Sequence, residues 1–157
     1  MKVKLDPLAV DSKDLSWLCV KPMLLAVQGK DLATKTDMYN QLSEGQKGLY
    51  LFYSYHNHTK TLEEFYWFSA YHINELKSWD KIKNGLKYFK EMNLPELLEE
   101  IEMLIDDAVS PTDLENDKKL SKDVKNLYEK YNLYSEICIN RLNEWVKANR
   151  TEFFGID

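Results

Sequence analysis

From Ser121 to about Arg150, apolar side chains return in steps of three and four: Val124, Leu127, Tyr131, Tyr134, Cys138, Leu142 and Trp145. Side chains on a strand change face at every residue, whereas positions three and four apart share one face of a helix. So long a seam predicts a helix, and its apolar stripe needs other elements to cover it.

The rest of the chain supplies helices. Lys13–Gln28 reads as one, with Asp11 or Ser12 as cap, Gly29 as a stop and Pro22 breaking it in two. A short helix follows at Lys35–Gln41. Ser43 and Gln46 form a capping box ahead of a helix to Tyr55 that carries Leu49, Phe52, Tyr53 and His56 on one face. Thr61 and Glu64 open another, whose stripe is Leu62, Phe65, Tyr66, Ser69, Ile73 and Leu76, with Trp67, Phe68 and Tyr71 widening it. A helix apolar on most sides belongs inside a bundle. Asp80–Met92 and Pro95–Val109 read as two more, the second opening on proline. The polar stretch from Ser110 to Leu120 reads as a loop.

No segment alternates and no linker divides the chain. The expected fold is all-α, one domain over residues 1–157, a bundle of six or seven helices. It is built around a central aromatic helix hairpin and a long C-terminal helix. Residues 1–10 and 151–157 are expected to be loosely ordered, unless Phe153 and Phe154 dock the tail.

Every histidine lies in YHNHTKTLEEFYWFSAYHIN: His56, His58 and His72. With Glu63 and Glu64 they raise the question of a metal site, which needs three or four ligands converging on one point. If the two aromatic helices pack antiparallel, facing residues carry numbers summing to about 118. That register sets His72 roughly 14 Å from His56 along the hairpin, too far to share an ion. His56, His58, Glu63 and Glu64 remain as weak metal-ligand candidates at the turn. The simpler reading makes His56 part of the apolar stripe, His58 a turn residue and His72 a core neighbour paired with Glu75. Glu63 and Glu64 then serve as first-turn acids favoured by the helix dipole.

Other chemistry finds little footing. The chain has no G-x-S-x-G, no glycine-rich phosphate loop and no P-loop lysine. Cys19 and Cys138 stand far apart in sequence without C-x-x-C spacing, and read as buried, reduced thiols. No catalytic residue and no cofactor is expected. The N-terminus lacks the apolar stretch of a signal peptide, which points to the cytoplasm. The longest apolar runs, Met23–Val27 and Leu49–Tyr53, fall far short of a membrane span.

A net charge of −5 speaks against nucleic acid as a direct ligand, because phosphate binding needs clustered Lys and Arg. The acids are unevenly placed. Between Glu91 and Asp117 there are ten acids and no Lys or Arg. Leu94, Leu97, Leu98, Ile101, Leu104 and Ile105 take the inward side, so the acids face out. Glu96, Glu99, Glu100, Glu102, Asp106, Asp107, Asp113, Glu115 and Asp117 are thus the candidate surface for a protein partner of basic character. Such a focused field steers cationic partners and weakens with salt.

The runs LSEGQKGLYLFYSYHNHTKTLEEFYWFSA and SWDKIKNGLKYFKEMNLPELLEEIEMLID resemble the bacterial DNA-mimic protein family. The matching positions are Leu42, Gly45, Gln46, Leu49 and Tyr50, then Phe65 and Phe68, then Trp79, Ile82, Leu86, Leu97 and Leu98. They span roughly residues 42–107, under half the chain. Where the family carries Asn-Gly-Gly between its aromatic helices, this chain has Asn57-His58-Thr59-Lys60-Thr61. The resemblance implies an all-helical acidic protein, sometimes dimeric, whose carboxylates imitate DNA phosphates and occupy a DNA-binding protein.

The leading expectation is a non-enzymatic protein that binds another protein through the acidic face. A small metal-binding protein or enzyme using His56, His58, Glu63 and Glu64 is the alternative. A third reading is a self-associating bundle, a homodimer burying Trp67 and Tyr71 between subunits.

Overall fold

The computed structural model describes residues 2–105 and 112–157. Within them the chain forms seven helices of nine residues or more: α1 Leu15–Val27, α2 Leu32–Asn40, α3 Glu44–His56, α4 Leu62–Ala70, α5 Trp79–Tyr88, α6 Asn93–Ile105 and, after the single turn α7 Asp113–Asn116, the long α8 Lys118–Ala148. A last turn, α9 Arg150–Phe153, leads to the C-terminus. The all-α bundle with a long C-terminal helix and aromatic clusters is the fold observed.

Local signals explain most boundaries. The Ser43/Gln46 capping box is complete, each side chain bonding the other residue's backbone. At α4 only half of the expected box forms. Thr61 accepts from the Glu64 N–H, while Glu64 reaches the backbone of Lys60. Asp31 caps α2, so that helix starts earlier than Lys35. The stretch expected to be loop contains α7, and α8, capped by Asp117, starts three residues before Ser121. Pro22 does not split α1. It lies on the exposed side, where water can satisfy the carbonyl it leaves behind, while Cys19, Val20, Met23 and Val27 bury both halves in one core.

After Ala70 the helix widens into a π-helical segment, Tyr71–Glu75. The inserted turn slips the register of the stripe: His72 and Ile73 face inward and Leu76, expected inside, is 49% exposed. The antiparallel register expected for the aromatic helices is also not adopted. It would set Tyr55 opposite Glu63, yet the Tyr55 hydroxyl meets Ser69 Oγ at 2.7 Å and its ring lies 5.5 Å from that of His72. The intervening turn is tied elsewhere, since Tyr128 of α8 donates to the Thr59 carbonyl at 2.7 Å. α3 packs instead along α5 and α1. Gly48 and Gly85 make the α3–α5 crossing close, because a Cβ on Gly85 would stand 2.9 Å from Gly48 Cα.

Both ends of the chain are held, the tail by the docking of Phe153 and Phe154 that was the alternative to a loose end. Val3–Leu5 (β1) and Phe154–Ile156 (β2) pair as a two-stranded parallel ladder, Val3 opposite Phe154. Phe153 and Phe154 are buried. Glu152 accepts from Ser43 Oγ and the Gly45 N–H, adding a carboxylate to the N-terminus of α3.

Candidate functional site

Two regions hold the residues to which sequence attaches chemistry: the interior around the histidines and the outer side of α6. In the interior, the last turn of α3 places His56 against Phe52, with ring centroids 5.1 Å apart and nearly parallel. Its Nδ1 hydrogen-bonds the hydroxyl of Tyr131, 2.8 Å away on α8. Burial, assisted by the nearby charge of Lys60, pushes the His56 pKa down to about 4. The π-segment turns His72 inward, where Nδ1 bonds Ser78 Oγ at 2.8 Å rather than Glu75. Burial, then His58, lowers His72 to about 4 as well. Both imidazoles are therefore neutral at pH 7 and act as hydrogen-bonding core residues.

His58 stacks on Phe68 at 4.2 Å. His56, His58 and Glu64 are thus drawn to different partners, and Glu63 is exposed. Among the described residues, no group of three or more His, Cys, Asp or Glu side chains is placed to hold a metal ion. Cys19 and Cys138 are both buried and free. Tyr53 nearby has its hydroxyl pKa raised, chiefly by burial. Burial pushes the Cys19 thiol up to about 12 and Cys138 higher still, so neither has thiolate character at neutral pH.

The outer side of α6 is built differently. Leu94, Leu97, Leu98, Ile101 and Ile105 are buried against α5, α8 and α4, fixing the helix on its apolar side. Glu96, Glu99 and Glu100 are exposed. Glu99 lies 4.0 Å from Lys83, and Glu100 4.0 Å from Lys130. Glu102 is more enclosed and bonds Lys83 at 3.2 Å, while Asp80 holds the same ammonium at 3.1 Å. Asp113 is half-buried and accepts from the Tyr66 hydroxyl at 3.0 Å. Glu115 is exposed, and Asp117 is spent capping α8 by accepting from the Leu120 N–H. Asp106 and Asp107 lie outside the described residues. The acids expected to form one uniform face are therefore sorted: some are free to meet a partner, and others already have structural tasks.

Glu91, at the start of the acid-only window, is not a surface acid. Its side chain is buried, accepts from the Asn93 and Leu94 N–H groups, and meets Arg141 of α8 at 3.2 Å. Its place just ahead of the apolar run of α6 is the sequence signal that could have marked it as a cap. Tyr131 and the Glu102 contact of Lys83 carried no such signal, because their partners come from other helices. No helix is long and apolar enough to cross a membrane among the described residues. Compared with known proteins, the chain matches no family model, no curated protein and no solved structure.

Proposed function

We propose that this chain is a non-enzymatic, cytoplasmic protein that binds a basic protein partner through the outer side of α6, with Glu96, Glu99 and Glu100 at the centre of the contact. The observation that carries this reading is the exposure of Glu96, Glu99 and Glu100 on a helix whose opposite side is locked in the core. Glu96 enters no ion pair among the described residues. Together with Glu102 these acids put four carboxylates within about 9 Å of helix axis. A like-signed row on a low-dielectric wall raises the local concentration of cationic ligands. One form of this reading is DNA mimicry, in which the row stands in for phosphates and the partner is a DNA-binding protein.

The test is a pull-down from lysate at low and then high salt, comparing the native chain with a Glu96→Lys, Glu99→Lys, Glu100→Lys variant. Partners held through this face should be lost from the variant and from the native chain at high salt. If the variant keeps every partner, the reading is finished. A second reading, self-association, draws on the partly exposed Trp67 and Tyr71 of α4 and the π-segment. Light scattering that shows a monomer at high concentration removes it.

A further inference from the structure

Through the middle of the bundle runs a line of rings in contact. Trp17 lies 5.4 Å from Tyr53, Tyr53 6.1 Å from His56, His56 5.8 Å from Tyr131, Tyr131 5.7 Å from Tyr55 and Tyr55 5.0 Å from Trp79. Trp17 is the partly exposed end of the line, while its three phenols and Trp79 are buried. The phenols differ in what they bond. The Tyr53 hydroxyl meets Ser16 Oγ, and that of Tyr55 meets Ser69 Oγ. Tyr131 is the phenol on this line that meets a base, His56 Nδ1 at 2.8 Å. A buried phenol is satisfied by a hydroxyl or a carbonyl, as Tyr128 is by the Thr59 carbonyl, so hydrogen bonding by itself does not call for an imidazole. Tyr66 and Tyr88 also bond bases, the carboxylates of Asp113 and Glu152, but they stand off the line. Tyr66 joins no ring pair among the described residues, and Tyr88 lies at the surface beside Phe89 and Trp145.

We infer that the Tyr131–His56 pair is a redox site, where one oxidising equivalent that the line of rings takes from a small radical of the peroxyl class comes to rest. A phenol that loses an electron becomes a strong acid, because its O–H is conjugated with the ring that was oxidised. Tyr131 gives one electron to the radical, its O–H bond breaks, and the proton forms an N–H bond on His56 Nδ1. The peroxyl radical becomes a hydroperoxide anion, which takes a proton from water. A serine hydroxyl cannot keep a proton, so Tyr53 and Tyr55 pass the oxidation on and Tyr131 holds it. The separation of 2.8 Å lies within the reach of direct proton transfer. The imidazole is neutral at pH 7 and so is free to accept, and it is only partly buried, so water shares the charge it gains. The step uses the His56 tautomer whose resident proton is on Nε2. Complete burial shields the Tyr131 radical from other solutes. A one-electron donor of the ene-diol class restores the phenol, with Nδ1 returning the proton.

The experiment uses the full chain, with photogenerated tris(bipyridine)ruthenium(III) as the one-electron oxidant and electron paramagnetic resonance as the readout. The native chain should form a neutral tyrosyl radical, more slowly in heavy water, that outlives the radical of the urea-unfolded chain by at least about tenfold. Tyr131→Phe should abolish the long-lived signal. His56→Gln keeps a hydrogen-bonding side chain but no base, and should shorten the signal to the unfolded lifetime. Tyr66→Phe and Tyr88→Phe should leave it unchanged, with circular dichroism establishing that each variant is folded. Heteronuclear NMR of the native chain reads the His56 tautomer without any substitution. A long-lived signal that survives Tyr131→Phe or His56→Gln, a native radical no longer-lived than the unfolded one, or a His56 proton on Nδ1 each overturns the inference. An azo initiator in air, which supplies peroxyl radicals, should give the same signal, and its failure to do so overturns the oxidant class.

Discussion

The interior around His56, His72 and Tyr131 and the outer side of α6 both carry polar and titratable groups, and they use them in opposite ways. In the interior polar groups meet one another at 2.7–2.8 Å: Tyr55 with Ser69, His56 with Tyr131 and His72 with Ser78. Leaving one of these groups unpaired incurs its full desolvation penalty. On α6 the carboxylates stand in water, where each ion pair contributes little. The interior therefore governs stability, and the outer side is free to govern association.

The largest effect is expected from Phe65→Ala. That ring is fully buried against Tyr128 and Tyr131, at 4.9 and 5.4 Å. Its loss should lower unfolding stability by about 3–5 kcal/mol, read from the urea midpoint. Acid should act next. Both imidazoles have pKa values lowered from 6.5 to about 4, so the unfolded chain binds protons that the folded one does not. Their contribution is complete above pH 6.5 and is lost as pH falls toward 4, by up to about 3 kcal/mol each. Denaturant titrations at descending pH check this, and His56→Phe should shrink the slope. If stability stays flat across that window, the interior is wetter than the structure implies.

Tyr131→Phe removes one hydroxyl and strands His56 Nδ1. A loss of about 1–3 kcal/mol is expected, with a histidine NMR titration moving back toward 6.5 as water enters. The smallest effect belongs to α6: Glu96→Gln, Glu99→Gln or Met103→Gln should change stability by less than about 0.5 kcal/mol. Should any of these prove strongly destabilising, the division between the two regions fails.

Much of the fold was readable because its signals are local. The Ser43/Gln46 box, the seam of α8 and the apolar side of α6 depend on residues within a few turns of one another. The missed features depend on distant partners. Leu76 left the core because a π-segment shifted the register. Gly48 and Gly85 look like ordinary helix-weakening residues until α3 and α5 cross at them. The candidate site was legible in composition only. The acid-only window shows in the sequence, but Glu91 as a buried cap, Asp113 bonded to Tyr66 and Glu102 bonded to Lys83 do not.

The sequence by itself determined that this chain is helical, where most helices begin and which side of each is apolar. Periodicity and capping are short-range properties of the backbone. Only the tertiary structure decided which helices touch, that the two chain ends pair, that His56 and His72 are neutral core residues, and which acids remain in water. Those outcomes depend on burial and on partners brought from far along the chain. Desolvation and hydrogen bonding act on a side chain according to its surroundings, and only the folded packing supplies those.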